Sequence, residues 1–180
     1  MLEMKAHPNT KAIIEAWKRL SKGDSQLVDG PMADDYPDLV GRLFILQHDS
    51  NSDFSFRVAG SALEDLFDRE LVEHNFLSLW RLEDRHLITA AIESCLAANA
   101  PSIVQACGAS LDGRTINVEI ALAPLASNGG RPRVLGLYQS LSDERMLQGR
   151  PIWRHWATGV FPPRPTQPFA QIRLIASNDL

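Results

Sequence analysis

The stretch from Pro101 to Leu141 limits what this chain can fold into more than any other. It holds three runs rich in aliphatic and β-branched residues, PSIVQACGASL, TINVEIALAPL and RVLGLYQSL. Asp112-Gly113 separates the first two, and Ser127-Asn128-Gly129-Gly130 the last two. An Asp-Gly pair between alternating runs supplies the backbone angles of a tight hairpin, so consecutive runs must lie antiparallel. A meander of this kind excludes a strictly alternating parallel α/β domain.

The upstream segments complete the order. Asn9 or Thr10 is expected to cap a helix whose stripe is Ile13, Ile14, Trp17 and Leu20, with Gly23 as its stop. Residues 24–40, with Gly30, Pro31, Pro37 and several aspartates, read as a connector with at most a short helical turn near its end. GRLFILQHD and FSFRV, joined by DSNSD, read as a second hairpin. At Gly60 the alternating run Phe54, Phe56, Val58 stops and an amphipathic run on Leu63, Leu66 and Phe67 begins at once.

From Ser61 to Trp80 the helical period is repeatedly broken, which predicts several short helices across a sheet face. DRHLITAAIESCLAANA, with Leu87, Ile88, Ala91, Ile92, Cys95 and Leu96 on one stripe and Asp84 as cap, predicts the longest helix of the core. Beyond Leu141 the texture changes, with most of the chain's late prolines and two tryptophans, and residues 142–180 read as an appendage outside the core, with QIRLIAS as a candidate late strand. Its Trp153, Trp156, Phe161 and Phe169, spaced by Arg and Pro, suit docking onto a surface.

A chain of 180 residues suits one domain with an added segment. With 44% hydrophobic and 22% charged residues it has the balance of a soluble globular protein. A net charge of -4 supplies no broad positive field, which argues against nucleic acid. Residues 143–180 carry a net +2 against -6 for the rest, a difference that would let the tail fold back on its own domain or a partner's. Cys95 and Cys107 lack metal or redox spacing and read as buried thiols of a reducing compartment. Charges, His7 and Pro8 interrupt any secretory signal at the start, and no transmembrane segment is evident, so the expected location is cytoplasmic.

Several residues form a wider pattern: Trp17 and Leu20, then Phe56, Arg57, Ala59, Gly60, Ser61 and Leu63, then Trp80. This resembles the PAS domains, and more narrowly a family of bacterial single-domain PAS proteins with a W-x-x-L helix, an F-R-x-A-G-[ST]-x-L segment and a later W. The similarity runs from about Ile13 to Leu141. It implies an α+β fold with a five-stranded antiparallel sheet and helices over one face, used for sensing and partner binding. The corresponding division is a flanking N-terminal helix at 1–23, a PAS-like domain at 41–141 and a C-terminal tail at 142–180. In that setting Gly60 is expected to let the backbone turn and approach its neighbours, and Ser61 to cap the next helix. Asp68 and Glu73 stand where the family often has glycines.

The expected interior is walled first by Phe56, Val58, Leu63, Leu66, Phe67 and Trp80, and then by Ile88, Ile92, Val118, Ile120 and Tyr138. These residues either pack as a plain core or line a pocket for a small apolar ligand of unknown identity. No cofactor and no metal are predicted. His86 as a haem ligand lacks a second partner, and the N-C-R-F motif of a flavin photoreceptor is missing from SALEDLFDREL. His7, His48, His74 and His155 make no metal spacing, and Glu64, Asp65, Asp68, Glu70 and Glu73 read as a solvated helix face. Asn128-Gly129-Gly130 reads as a turn because no helix follows it.

The expected function is a non-catalytic sensory or regulatory protein of a bacterial cytoplasm that acts on an unidentified signalling protein. The stripe of Ile13, Ile14, Trp17 and Leu20 is expected either to be buried on the outer face of its own sheet or to be shared with a second subunit, and it is the candidate surface of the expected homodimer. Two alternatives stand beside it: an α+β cone-type isomerase or dehydratase with a base such as His86, and a carrier of a hydrophobic ligand.

Overall fold

The computed structural model describes residues 5–21, 37–51, 53–126 and 129–164. Helix α1 (Pro8–Ser21) is followed by the single turn α2 (Pro37–Val40) and by strands β1 (Leu43–His48) and β2 (Phe54–Ala59). Helix α3 (Ser61–Phe67), two 3-10 turns at Phe76–Leu79 and Leu82–Asp84, and helix α4 (Arg85–Ala98) come next. Strands β3 (Ser102–Ala109), β4 (Thr115–Leu125) and β5 (Arg133–Ser140), a 3-10 turn at Glu144–Leu147 and strand β6 (Arg154–Phe161) complete the order. Most of the expected connector, and the whole of QIRLIAS, lie outside the described residues.

The sheet is antiparallel with the order β2-β1-β5-β4-β3-β6. It has six strands rather than the expected five. The sixth comes from the segment expected to be an appendage: β6 pairs along β3 from Ile103↔Phe161 to Ala109↔Arg154. Its apolar pattern is hard to read because Thr158 is an extra residue between Gly159, paired with Gln105, and Ala157, paired with Ala106. Such a bulge breaks the period-2 alternation, so inward positions fall at His155, Ala157 and Val160. The turn between β3 and β4 forms where Asp112-Gly113 predicts it, with Gly113 at a φ of 85° and Ser110 N–H bonded to Arg114 O at 2.9 Å.

The two faces of the sheet are buried by different elements. On the inner face α3, the 3-10 turns and α4 cover Phe44, Leu46, Phe56, Ile116, Val118, Ile120 and Leu122. On the outer face α1 and α2 bring Ile13 and Leu39 against Ala121 and Leu137. Trp17 is buried there too, and its indole N–H donates to Pro124 O at 2.6 Å. Of the two covers expected for the α1 stripe, the chain's own sheet is the one seen: Ile13 and Trp17 are buried, and Ile14 and Leu20 half-buried. The physical reason is that β4 and β5 present Ala121, Leu135 and Leu137 outward, an apolar strip that needs a cover.

Three expected helix starts take a different form. His7 Nδ1 accepts the Asn9 N–H at 3.1 Å, while Thr10 lies fully buried within the helix, so neither Asn9 nor Thr10 is the cap of α1. His7 N–H in turn donates at 3.0 Å to Glu119, a fully buried carboxylate of β4. Gly60 holds the cap position of α3 and Ser61 is its first residue, with no side-chain cap bond. Asp84 precedes α4 without capping it and instead accepts the Ala157 N–H of β6 at 3.0 Å.

The junction at Gly60 works by close approach. Its φ is an ordinary -68°, but a Cβ there would stand 2.2 Å from Gly41 O. Gly60 N–H bonds to Leu43 O at 2.8 Å and Leu63 N–H to Gly41 O at 3.1 Å, so the first turn of α3 sits directly on the start of β1. A side chain at position 60 would hold the helix off the sheet. Left-handed residues follow, Asp68 (φ 48°) as the C-cap of α3 and Glu73 (φ 68°) in the turn beyond it, conformations that glycine usually fills.

Candidate functional site

The inner face of the sheet and its helical cover enclose an interior made largely of rings. Gly136 makes the space: a Cβ there would stand 2.0 Å from Phe44 Cζ, and the Phe44 ring lies over the glycine instead. Phe44 then contacts Phe56 and Phe76, with centroids 5.6 Å away in each case. The series continues from Phe76 to Trp80 (5.9 Å), from Trp80 to His155 (5.3 Å) and from His155 to Phe67 (5.5 Å) and Tyr138 (5.6 Å). Phe44 and Phe76 are stacked, and the other contacts are edge-to-face or tilted, which are favourable because the positive ring edge meets a negative face.

Ten of the eleven residues expected to wall the interior lie in this cluster. Phe56, Leu63, Phe67, Trp80, Ile88, Ile92, Val118, Ile120 and Tyr138 are buried in it, and Leu66 packs half-buried against it. Val58 does not: it is 51% exposed. A bulge explains the difference. Leu46 pairs with Phe56 and Ile45 with Val58, so Arg57 is an extra residue and Val58 falls on the outer face beside Ile45.

One hydrogen-bonded pair interrupts the apolar interior. Tyr138 Oη and His155 Nε2 are 2.7 Å apart, and His155 Nδ1 lies 3.1 Å from Leu79 O. A carbonyl only accepts, so Nδ1 carries the proton and Nε2 receives the phenolic O–H. Burial pushes His155 down to about 4, outweighing the stabilising bond to Leu79. Burial also raises the Tyr138 phenol well above its ordinary value. The pair is therefore neutral across the ordinary pH range. Trp80 adds a buried indole N–H without a hydrogen-bond partner. Gly108 lets β3 pass close by, since a Cβ there would be 3.3 Å from both Tyr138 Oη and His155 Nε2.

His155 was not among the expected site residues. Its own sequence context, between Trp153 and Trp156 in an arginine-rich and proline-rich segment, carries no signal for burial. Only the pairing of β6 with β3 turns the imidazole inward, opposite Gly108. His86, by contrast, is exposed on α4 and far from offering a ligand or a base to the interior. Among the described residues no three His, Cys, Asp or Glu side chains gather as a metal site would require. Cys95 and Cys107 are free and buried, and burial pushes the Cys95 thiol up to about 12, which makes it a poor nucleophile.

A concavity lies outside the core, between α3 and the 144–151 segment. This groove, of about 500 Å³, is lined by the apolar Leu66, Leu147 and Pro151 and by the charged Asp65 and Arg150. Arg42 and Glu144 also line it and form an ion pair of 2.6 Å. Burial alone would raise the Glu144 carboxyl, but its bonds to Arg42 and Ser140 outweigh that and hold it below its usual range.

Three comparisons with known proteins bear on this arrangement. A family model described as PAS domain matches residues 4–139. Among solved structures, a light-oxygen-voltage domain studied with a flavin analogue is 16% identical, with 67% of this chain and 92% of that chain covered and a TM-score of 0.48. The PAS domain of a protein from Colwellia psychrerythraea is 13% identical, covering 62% of this chain and 98% of that one, with a TM-score of 0.45. The PAS domain of an HTR-like protein from Haloarcula marismortui is 15% identical, with 69% and 96% covered and a TM-score of 0.43. No curated protein matches the chain.

Proposed function

Because this chain belongs to the PAS domain family, we propose that it is a non-catalytic sensory or regulatory protein whose output is a protein–protein contact, tuned by a small apolar ligand. The observation that carries this reading is the interior itself: aromatic rings under a cover of short helices, with the Tyr138–His155 pair as its buried polar feature joining sheet to cover. An apolar enclosure with a few convergent polar groups is the usual form of a small-molecule site. The phenolic oxygen of Tyr138, fixed by His155 and still able to accept a hydrogen bond, would orient a ligand, and the apolar walls would supply its affinity.

A catalytic reading finds less support. The base named for a cone-type isomerase, His86, is exposed on α4, and His155 is held neutral with both ring nitrogens engaged. The proposed setting is a bacterial cytoplasm, a homodimer, and an unidentified signalling protein as partner. No helix among the described residues is long and apolar enough to cross a membrane.

The experiment is native mass spectrometry of the protein purified from its own cells, followed by denaturing mass spectrometry of what is released. A defined small molecule leaving with the protein supports the ligand-tuned reading. Unliganded protein in every preparation removes the ligand and leaves a contact module.

A further inference from the structure

The groove between α3 and residues 144–151 is set up before anything binds in it. Of its apolar lining, Leu147 is a buried member of the core cluster and Leu66 packs half-buried against that cluster. Ile152 N–H donates to Leu66 O at 3.1 Å, which ties α3 to the segment that carries Pro151. Glu144 accepts from Arg42 at the start of β1 and from the Ser140 hydroxyl at the end of β5. A site held by such contacts spends little of a ligand's affinity on ordering itself.

The charges that line the groove do not balance. Arg42 is neutralised by Glu144. Arg150 lies 3.7 Å from Asp112, which is not part of the groove. Asp65 and Asp68 remain: both line the groove, and among the described residues neither carboxylate has a hydrogen bond or an ion pair. They stand three residues apart at the end of α3, a spacing that makes side chains neighbours. The volume of about 500 Å³ is that of a small-molecule site. An anion would be repelled by the two carboxylates. An uncharged apolar molecule would strip water from them and return nothing. A bare metal ion lacks its ligands, since no three His, Cys, Asp or Glu side chains gather among the described residues. A cation with an apolar body meets both kinds of lining.

We propose that this groove binds an amphipathic amine: a small molecule whose ammonium group is taken by Asp65 and Asp68 and whose aliphatic or aromatic body lies against Leu66, Leu147 and Pro151. The site is separate from the aromatic interior, and it stands whether or not that interior holds a ligand of its own.

The test uses probes of opposite charge on one apolar body. Phenethylamine and hexylamine are titrated into the full-length, isotope-labelled protein at neutral pH and constant ionic strength, beside phenylpropionate and hexanoate. Backbone amide shifts report where each probe binds. The expected result is saturable binding of both amines, with shifts gathered on residues 62–68 and 147–151, and no saturable binding of the two acids. Asp65→Asn combined with Asp68→Asn keeps size and suits the left-handed backbone at 68. It should weaken the amines about tenfold, while Glu83→Gln, outside the groove, leaves them unchanged. If the double variant fails to fold, the acid probes decide the same point on the wild-type protein. Amines that do not saturate, acids that bind as well as amines, or an unchanged affinity in the folded double variant each overturn the proposal. Saturable shifts confined to Tyr138, His155 and the rings around them also overturn it, and leave the interior as the ligand site.

Discussion

Tyr138 gives its phenolic proton to His155 Nε2 across 2.7 Å, and the imidazole has no second acceptor position to offer because Nδ1 is committed to Leu79 O. The neutral form of His155 is thus part of the folded state. The unfolded chain binds a proton on this residue near its ordinary 6.5, whereas the folded chain resists until about 4. Its contribution to stability is therefore present above pH 6.5 and declines as the pH falls through the window down to about 4.

Between pH 7 and pH 5 this one group should remove about 2 kcal/mol of stability. Urea unfolding of wild type and His155→Gln at both pH values measures it. The difference between the two proteins in their pH dependence isolates the imidazole from the carboxylates. Equal slopes would mean that His155 is protonated without cost in the folded protein.

Gly60→Ala should lower stability by about 3 kcal/mol, because the new methyl carbon meets Gly41 O at 2.2 Å and neither backbone can yield without separating α3 from β1. Thermal unfolding gives the loss. Gly130→Ala, where a Cβ meets nothing within 4 Å, is the control and should change little.

Trp17→Ala should cost about 3 kcal/mol through lost packing and the lost bond to Pro124 O. Its mass by light scattering should match wild type at equal concentration, since the residue is buried within its own chain. A selective loss of dimer with unchanged unfolding would restore α1 as the assembly surface.

Asp68→Gly should stabilise the protein by about 1 kcal/mol, the penalty a left-handed residue carries when it has a Cβ. Asp68 is exposed, so little packing is lost in exchange. Chemical denaturation with an unchanged slope and a raised midpoint is the expected signature, and a lowered midpoint would show that the carboxylate has a structural role.

Much of the fold was legible because its signals are local. The Asp112-Gly113 hairpin, the two strands before the helices, the broken helical cover and the apolar stripe of α4 all depend on residues within a few positions of one another. Leu87, the one member of that stripe to fall outside, is 46% exposed at the first turn of α4. The misplaced residues share a different cause. Val58 was moved to the outer face by the bulge at Arg57, and Thr158 similarly obscured β6. A single extra residue inverts the side-chain faces beyond it, and nothing in the local composition announces one.

The amino-acid sequence by itself determined the order of the elements, the antiparallel sheet and most of the apolar interior, because alternation, helical period and turn chemistry act over short distances. Tertiary structure alone decided that the sheet has a sixth strand, which of its two expected covers the α1 stripe takes, and that Tyr138 and His155 meet inside. Each of those depends on residues far apart in the chain, such as Trp17 with Pro124 and Asp84 with Ala157. Long-range pairing of that kind is selected by the burial of whole surfaces, which no single segment encodes.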